Sequence, residues 1–271
     1  MTPPPPAASA APPRWSRYVA LGDSFTVGLW DQPDADGECR GWADVLAAHL
    51  SARRVSAGSA PLEYANLAIR GRLLRPIIDE QLEPALALRP DLVSLVGGGN
   101  DLLRPAADVD RLARDLDGAV ARIRATGADV LLCTGVDAAE SPVVRATRGR
   151  VGIYNAHIWT IARRHDAHVL DLWGMRSLRD WRLWASDRIH LTTDGHARVA
   201  QGALVALGLA PDDVAWDDPL APLPPVPRLR QTREDARWLR EHAYPWATRR
   251  LRGRSTGDTR TAKRPALAPV E

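Results

Sequence analysis

Cysteine is scarce in this chain: only Cys39 and Cys133 occur in 271 residues. Two thiols cannot build a disulfide framework, and Cys133 stands in an apolar run where burial is expected. The segment Met1–Arg14 is rich in Pro and Ala and lacks a charged stretch followed by an apolar one, so it reads as a disordered arm rather than a secretory leader. A cytoplasmic location is therefore expected. No apolar run approaches the roughly 18 residues that a membrane span needs. Lysine is almost absent, with Lys263 alone against many arginines. Beside the Ala and Pro richness, this bias fits codon usage better than a demand for bidentate chemistry. No Cys pair or His cluster has the spacing of metal ligands. The run Gly97–Gly99 is not the Gly-x-Gly-x-x-Gly fingerprint of dinucleotide binding.

The chain does have the balance of a soluble globular protein, with 45% hydrophobic and 25% charged residues. Its net charge of +3 is unevenly spread. Between Arg228 and Arg264 there are 12 basic and 4 acidic residues, a net +8, which leaves −5 for the remainder.

Five apolar runs have the length of strands: Tyr18–Leu21, Glu63–Ala68, Leu92–Val96, Val130–Thr134 and Val169–Leu172. Helical periodicity fills the intervals, over Trp42–Arg53, Leu73–Leu88 with a break expected at Pro84, Val109–Ala125, Arg150–His165 and Asp194–Leu207. Alternation of this kind predicts an α/β fold, a parallel five-stranded sheet between two helical layers. The domain is expected over 15–209, after the arm of 1–14. A Pro-rich linker follows over 210–231, then a basic amphipathic helix over 232–252 and a disordered tail over 253–271.

Four short segments lie directly or shortly beyond these strands: Gly22-Asp23-Ser24, Asn66…Gly71, Gly98-Gly99-Asn100-Asp101 and Asp187-Arg188-Ile189-His190. In an open parallel sheet, sites form beyond the carboxyl ends of the strands. Ser24 is placed at a helix start, where its backbone N–H is unpaired. Gly71 lets a backbone N–H approach a ligand closely, and the Asn100 amide can add a third donor toward an oxyanion. A serine hydroxyl needs a base. His190 can supply it, with Asp187 three residues earlier fixing the tautomer. Taken singly, Asp-Ser before a helix is a cap, a glycine run is a turn and Asp-x-x-His is a surface pair. Their joint occurrence, in order, carries the reading. His196 is assigned to the core or to a cap.

On these residues the chain resembles the SGNH (GDSL-type) hydrolases, a superfamily of esterases and lipases. The first block is Leu21-Gly22-Asp23-Ser24-Phe25-Thr26-Val27-Gly28, the second is marked by Gly71, the third by Gly98-x-Asn100-Asp101 and the last by Asp187-x-x-His190. The resemblance covers roughly Arg17 to Leu209. It implies a flavodoxin-like sandwich, with Ser24 as nucleophile, His190 as base and Asp187 as its partner. The oxyanion hole would comprise Ser24 N–H, Gly71 N–H and the Asn100 side chain, and no cofactor is implied. Leu191 stands where many relatives have proline, and Phe25 where leucine is common. The Gly-x-Ser-x-Gly elbow of α/β-hydrolases is absent.

Two loops are candidates for substrate binding. Leu29–Arg40 contains Trp30, and Trp173–Ser186 contains Trp173, Trp181 and Trp184. From them Trp30, Trp173 and Trp184 are taken as candidate pocket walls. The expected activity is hydrolysis of a small-molecule carboxylic ester through an acyl-enzyme. Deacetylation of a carbohydrate or small metabolite by the same residues is the alternative, with lysophospholipid or thioester cleavage also open. A non-enzymatic frame recruited to anionic surfaces by the basic tail is the rival from another class. In that tail Trp238, Leu239, His242, Ala243 and Trp246 share one helical face. This face either docks on the body, the favoured reading, or leaves the arginines to meet anionic lipid or nucleic acid.

Overall fold

The computed structural model describes residues 13–31, 39–137, 139, 145–222, 237, 238, 240, 241, 257 and 259–271. Strand β1 (Arg17–Leu21) leads into a one-turn helix α1 (Ser24–Val27). Then follow α2 (Trp42–Ser56), β2 (Glu63–Asn66), α3 (Leu74–Ala87), β3 (Leu92–Leu95), a second one-turn helix α4 (Gly99–Leu102) and α5 (Val109–Arg124). The order continues with β4 (Asp129–Cys133), α6 (Arg148–His165), β5 (His168–Leu170), α7 (Thr193–Ala206) and β6 (Arg264–Pro269). The strands lie in the order β5-β4-β3-β1-β2-β6, and all neighbours are parallel except β2 and β6.

Alternate residues of each strand face opposite layers. Tyr18 and Ala20 of β1 join one core with Trp42, Leu46 and Leu50 of α2 and Val199 and Ala203 of α7. Val19 and Leu21 join the other, with Ile77 and Leu82 of α3, Val120 and Ile123 of α5 and Ile158 and Ile161 of α6. This is the three-layer α/β/α sandwich. Parallel strands covered on both faces need apolar residues at nearly every position, which is why they stand out as unbroken runs.

Three expectations are corrected. The sheet has six strands, not five, because the tail assigned to disorder over 253–271 supplies β6. This strand pairs antiparallel with β2, and Pro265 and Pro269 are tolerated because it forms the edge. Its end is fixed where Val270 N–H donates to the Leu62 carbonyl (2.9 Å) and Ser51 Oγ to the Val270 carbonyl (2.7 Å). Pro84 does not break α3, since it lies on the exposed face, where water can satisfy the carbonyl it leaves unpaired. The start of the supposed linker is packed: Trp216 and Leu220 lie on the first core, and Arg198 donates to the Trp216 carbonyl (2.6 Å).

The arm of 1–14, apart from 13 and 14, lies outside the described residues. So does the amphipathic stretch 232–252, apart from Arg237, Trp238, Arg240 and Glu241. Trp238 is buried, with the Arg188 guanidinium 5.4 Å from its ring centre. Among the described residues no helix is long and apolar enough to cross a membrane.

Candidate active site

The turn between β1 and α1 is held from several sides. The N–H of Gly22 donates to Gln81 Oε1 (2.8 Å), and Gln81 Nε2 donates back to the Gly22 carbonyl (2.9 Å). Gln81 is buried in α3. A side chain at Gly22 would run into Thr26 and the Val96 carbonyl, so the turn requires glycine. Asp23 caps α1, its Oδ1 accepting from Phe25 N–H at 3.0 Å. The Thr26 carbonyl accepts from Asn66 Nδ2 at 3.1 Å, which ties the second block to the first.

This scaffold sets Ser24 Oγ 2.9 Å from His190 Nε2, and His190 Nδ1 2.6 Å from Asp187 Oδ2. The loop carrying the last two residues is tightly wound. Asp187 Oδ1 accepts from the N–H groups of Ile189 (3.0 Å) and His190 (3.1 Å), while Ala185 N–H donates to the His190 carbonyl (2.8 Å). One carboxylate oxygen therefore shapes the turn and the other orients the imidazole. Burial by itself raises the Asp187 carboxyl, but the hydrogen bond and charge of His190 and the two amides outweigh it and hold the group below the ordinary aspartate value.

Asn100 shares a cavity with Ser24 and His190. Its Nδ2 donates to Asp23 Oδ2 (2.9 Å) and to the Arg72 carbonyl (3.1 Å). The Arg72 contact links Asn100 to the turn at Gly71, which adopts a left-handed φ of 76°. Gly71 is not among the residues lining the cavity. Asp101 ties the third block to α3 by accepting from Leu74 N–H at 2.9 Å. Burial pushes the Asp23 carboxyl up, against the pull of the Phe25 amide, the His190 charge and Asn100.

The cavity has a volume of about 310 Å³ and runs from Ser24 across the carboxyl ends of β3, β4 and β5. Its lining is largely apolar, with Val96, Leu102, Val136, Val151, Tyr154 and Leu172 prominent. Of the three tryptophans expected to wall it, only Trp184 does so. Trp30 is 47% exposed and stands away from the lining, and Trp173 instead lies under the Arg148 guanidinium at 5.2 Å. Trp181 takes a place in the wall, its ring 6.0 Å from that of Trp184. Thr134–Asp137 and Tyr154 also line the cavity and belong to none of the four segments. The first of these follow β4 directly, so the carboxyl-end rule that located the other segments reaches them too.

His196 is buried, as assigned. Its Nδ1 accepts from Trp42 N–H at 3.2 Å, and burial, helped by the charges of His190 and Lys263, lowers its pKa to about 3. The Cys133 thiol is buried and pushed well above its ordinary value, which makes it a packing group. Among the described residues no group of three His, Cys, Asp or Glu side chains could hold a metal ion.

The sequence profile of the GDSL-like lipase/acylhydrolase family matches residues 20–198. The chain belongs to that family. Family membership makes it a carboxylic ester hydrolase. Solved structures of similar fold include an α/β hydrolase from the metagenome of Lake Arreo, Spain, 27% identical, with a TM-score of 0.60, covering 71% of this chain and 95% of its own. An acetylxylan esterase from Geobacillus stearothermophilus is 19% identical, with a TM-score of 0.60, covering 73% of this chain and 97% of its own. TesA is 22% identical, with a TM-score of 0.56, covering 70% and 97%. No protein of curated function matches the chain.

Proposed function

We propose that this GDSL-family hydrolase cleaves carboxylic esters whose acyl part is apolar, through a Ser24–His190–Asp187 triad. The observation that carries the reading is the hydrogen-bonded chain of these three side chains, two of which, Ser24 and His190, line a largely apolar cavity. Ser24 Oγ attacks the ester carbonyl carbon as its proton passes to His190 Nε2. Asp187 stabilises the imidazolium that forms. Negative charge on the carbonyl oxygen is met by the N–H groups of Ser24 and Gly71 and by the Asn100 amide. Collapse of the tetrahedral intermediate expels the alcohol, which takes the proton from His190. Water then repeats the sequence on the acyl-enzyme and releases the acid.

The acyl chain fits the cavity between Val151, Leu102 and Leu172, and the alcohol part leaves past Trp181. A second reading is favoured by Trp181, 38% exposed beside the half-buried Trp184 in the cavity wall, an aromatic surface that suits a sugar, and makes the substrate an acetylated carbohydrate. A cytoplasmic location stays part of the proposal, resting on two unpaired thiols, and so does docking of the basic tail on the body, with contact at anionic surfaces as its alternative. Turnover of p-nitrophenyl esters by Ser24→Ala and His190→Ala tests the triad. Each substitution should abolish nearly all activity in a folded protein, because the two residues act as a unit. Full activity in either variant would refute the assignment.

A further inference from the structure

Helix α1 is a single turn, and so short a helix makes few bonds of its own. Gly28 and Leu29 both return their amides to the Ser24 carbonyl, at 3.1 and 3.0 Å. The next carbonyls are met from elsewhere: Thr26 by Asn66, as above, and Val27 by Lys263 Nζ at 2.8 Å. Lys263 immediately precedes β6. Its ammonium also donates to the Cys39 carbonyl (2.6 Å) and to Asp44 Oδ2 (2.7 Å), so all three hydrogens have acceptors. The pair is largely buried, with the Lys263 side chain 15% and Asp44 19% exposed. Asp44 Oδ2 accepts from Gly41 N–H as well (3.1 Å) and so caps α2.

The chain carries 36 Lys or Arg residues, and this is the one lysine. Arginine is the default cation here. Yet a flat five-donor guanidinium does not suit three acceptors that converge on one point, whereas a compact ammonium does. The same tail touches the second block: Gly257 packs so closely on the Arg70 carbonyl, beside Gly71, that a side chain would collide with it.

We propose that Lys263 is a positioning residue for the nucleophile, and that the C-terminal residues 259–271 belong to the catalytic unit although the family match ends at residue 198. The inference rests on Ser24 being the nucleophile. Lys263 anchors the last carbonyl of α1 to α2 and to the sheet edge, which keeps Ser24 Oγ within reach of His190. Reaction rates fall steeply with small displacements, by up to about 10²-fold for 1 Å.

The test uses the full chain. Lys263→Met keeps the aliphatic stem and removes three hydrogen bonds. It should lower kcat on p-nitrophenyl acetate about 10-fold, with KM changed less than about twofold, at a temperature where circular dichroism shows a folded protein. Lys263→Cys in a Cys39→Ser background, alkylated with 2-bromoethylamine, rebuilds an ammonium at nearly the same distance and should recover most of the lost kcat. An unchanged kcat in folded Lys263→Met, a loss confined to KM, or no recovery after alkylation would overturn the proposal. If the methionine variant does not fold, the alkylated and unalkylated cysteine forms carry the same comparison. Ser24→Ala is assayed alongside. Activity there would sink the nucleophile reading itself, whereas an inert Ser24→Ala beside a fully active Lys263→Met would sink only the positioning role.

Discussion

Asn100 Nδ2 lies 2.9 Å from the Asp23 carboxylate and 3.1 Å from the Arg72 carbonyl, so both of its amide hydrogens have partners before substrate arrives. To serve an oxyanion, one of them must be shared or transferred. The neutral Arg72 carbonyl is the weaker competitor, and the developing negative charge should draw that hydrogen away as the tetrahedral intermediate forms.

Asn100→Ala is therefore expected to lower kcat by about 10²–10³-fold while KM changes little, since the donor matters most when charge develops. Asn100→Asp should be worse still, because it faces the Asp23 carboxylate with a second one. Steady-state kinetics on a short p-nitrophenyl ester reads both. An unchanged kcat in Asn100→Ala would remove Asn100 from the oxyanion hole.

The apolar cavity predicts a chain-length preference. Val151 lines it from α6, so Val151→Trp fills cavity space. The ratio of kcat/KM for a p-nitrophenyl hexanoate to that for the acetate should fall about 10-fold or more in this variant, as each methylene in an apolar pocket is worth ~1–3 kcal/mol. An unaltered ratio would place the acyl chain elsewhere and favour the sugar-acetate reading.

His196 predicts acid sensitivity. Its folded pKa of about 3 lies below the ordinary value of 6.5, so between these values the unfolded chain binds a proton that the folded one rejects. Its contribution is complete above pH 6.5 and falls by about 1.4 kcal/mol per pH unit below it. The depressed Asp187 carboxyl acts only at lower pH, as it loses its stabilising effect below the ordinary aspartate range. Across pH 7, 6, 5 and 4 His196 lowers the urea midpoint of the parent, against the opposite pull of the raised Asp23 and Asp44 carboxyls. The midpoint of His196→Asn, which keeps an acceptor for Trp42 N–H but does not titrate, should gain on the parent's as pH falls. Equal slopes would contradict the assignment of His196 as a buried neutral residue.

The parallel strands were legible because burial on both faces writes them as apolar runs, and the segments that hold Ser24 and Asp187-x-x-His190 because each is a short local pattern, although the two lie 166 residues apart. Strand β6 was not, since its stability comes from the edge of β2 and from Lys263, while its own composition, Arg-Pro-Ala-Leu-Ala-Pro, reads as loop. Gln81 looked like any polar helix residue; its task exists only because α3 packs behind Gly22. The roles of Trp30, Trp173 and Trp181 depend on which way long loops turn, and that is fixed by contacts such as Arg148 on Trp173 rather than by neighbours in the sequence.

The central claim is that Ser24 is activated through His190 to form a covalent acyl-enzyme. Mass spectrometry of the protein after reaction with a fluorophosphonate tests it most directly. The account predicts one adduct, on the peptide containing Ser24, absent in Ser24→Ala and formed far more slowly in His190→Ala. A protein that hydrolyses esters yet takes no label at Ser24, or labels Ser24→Ala equally well, would contradict it.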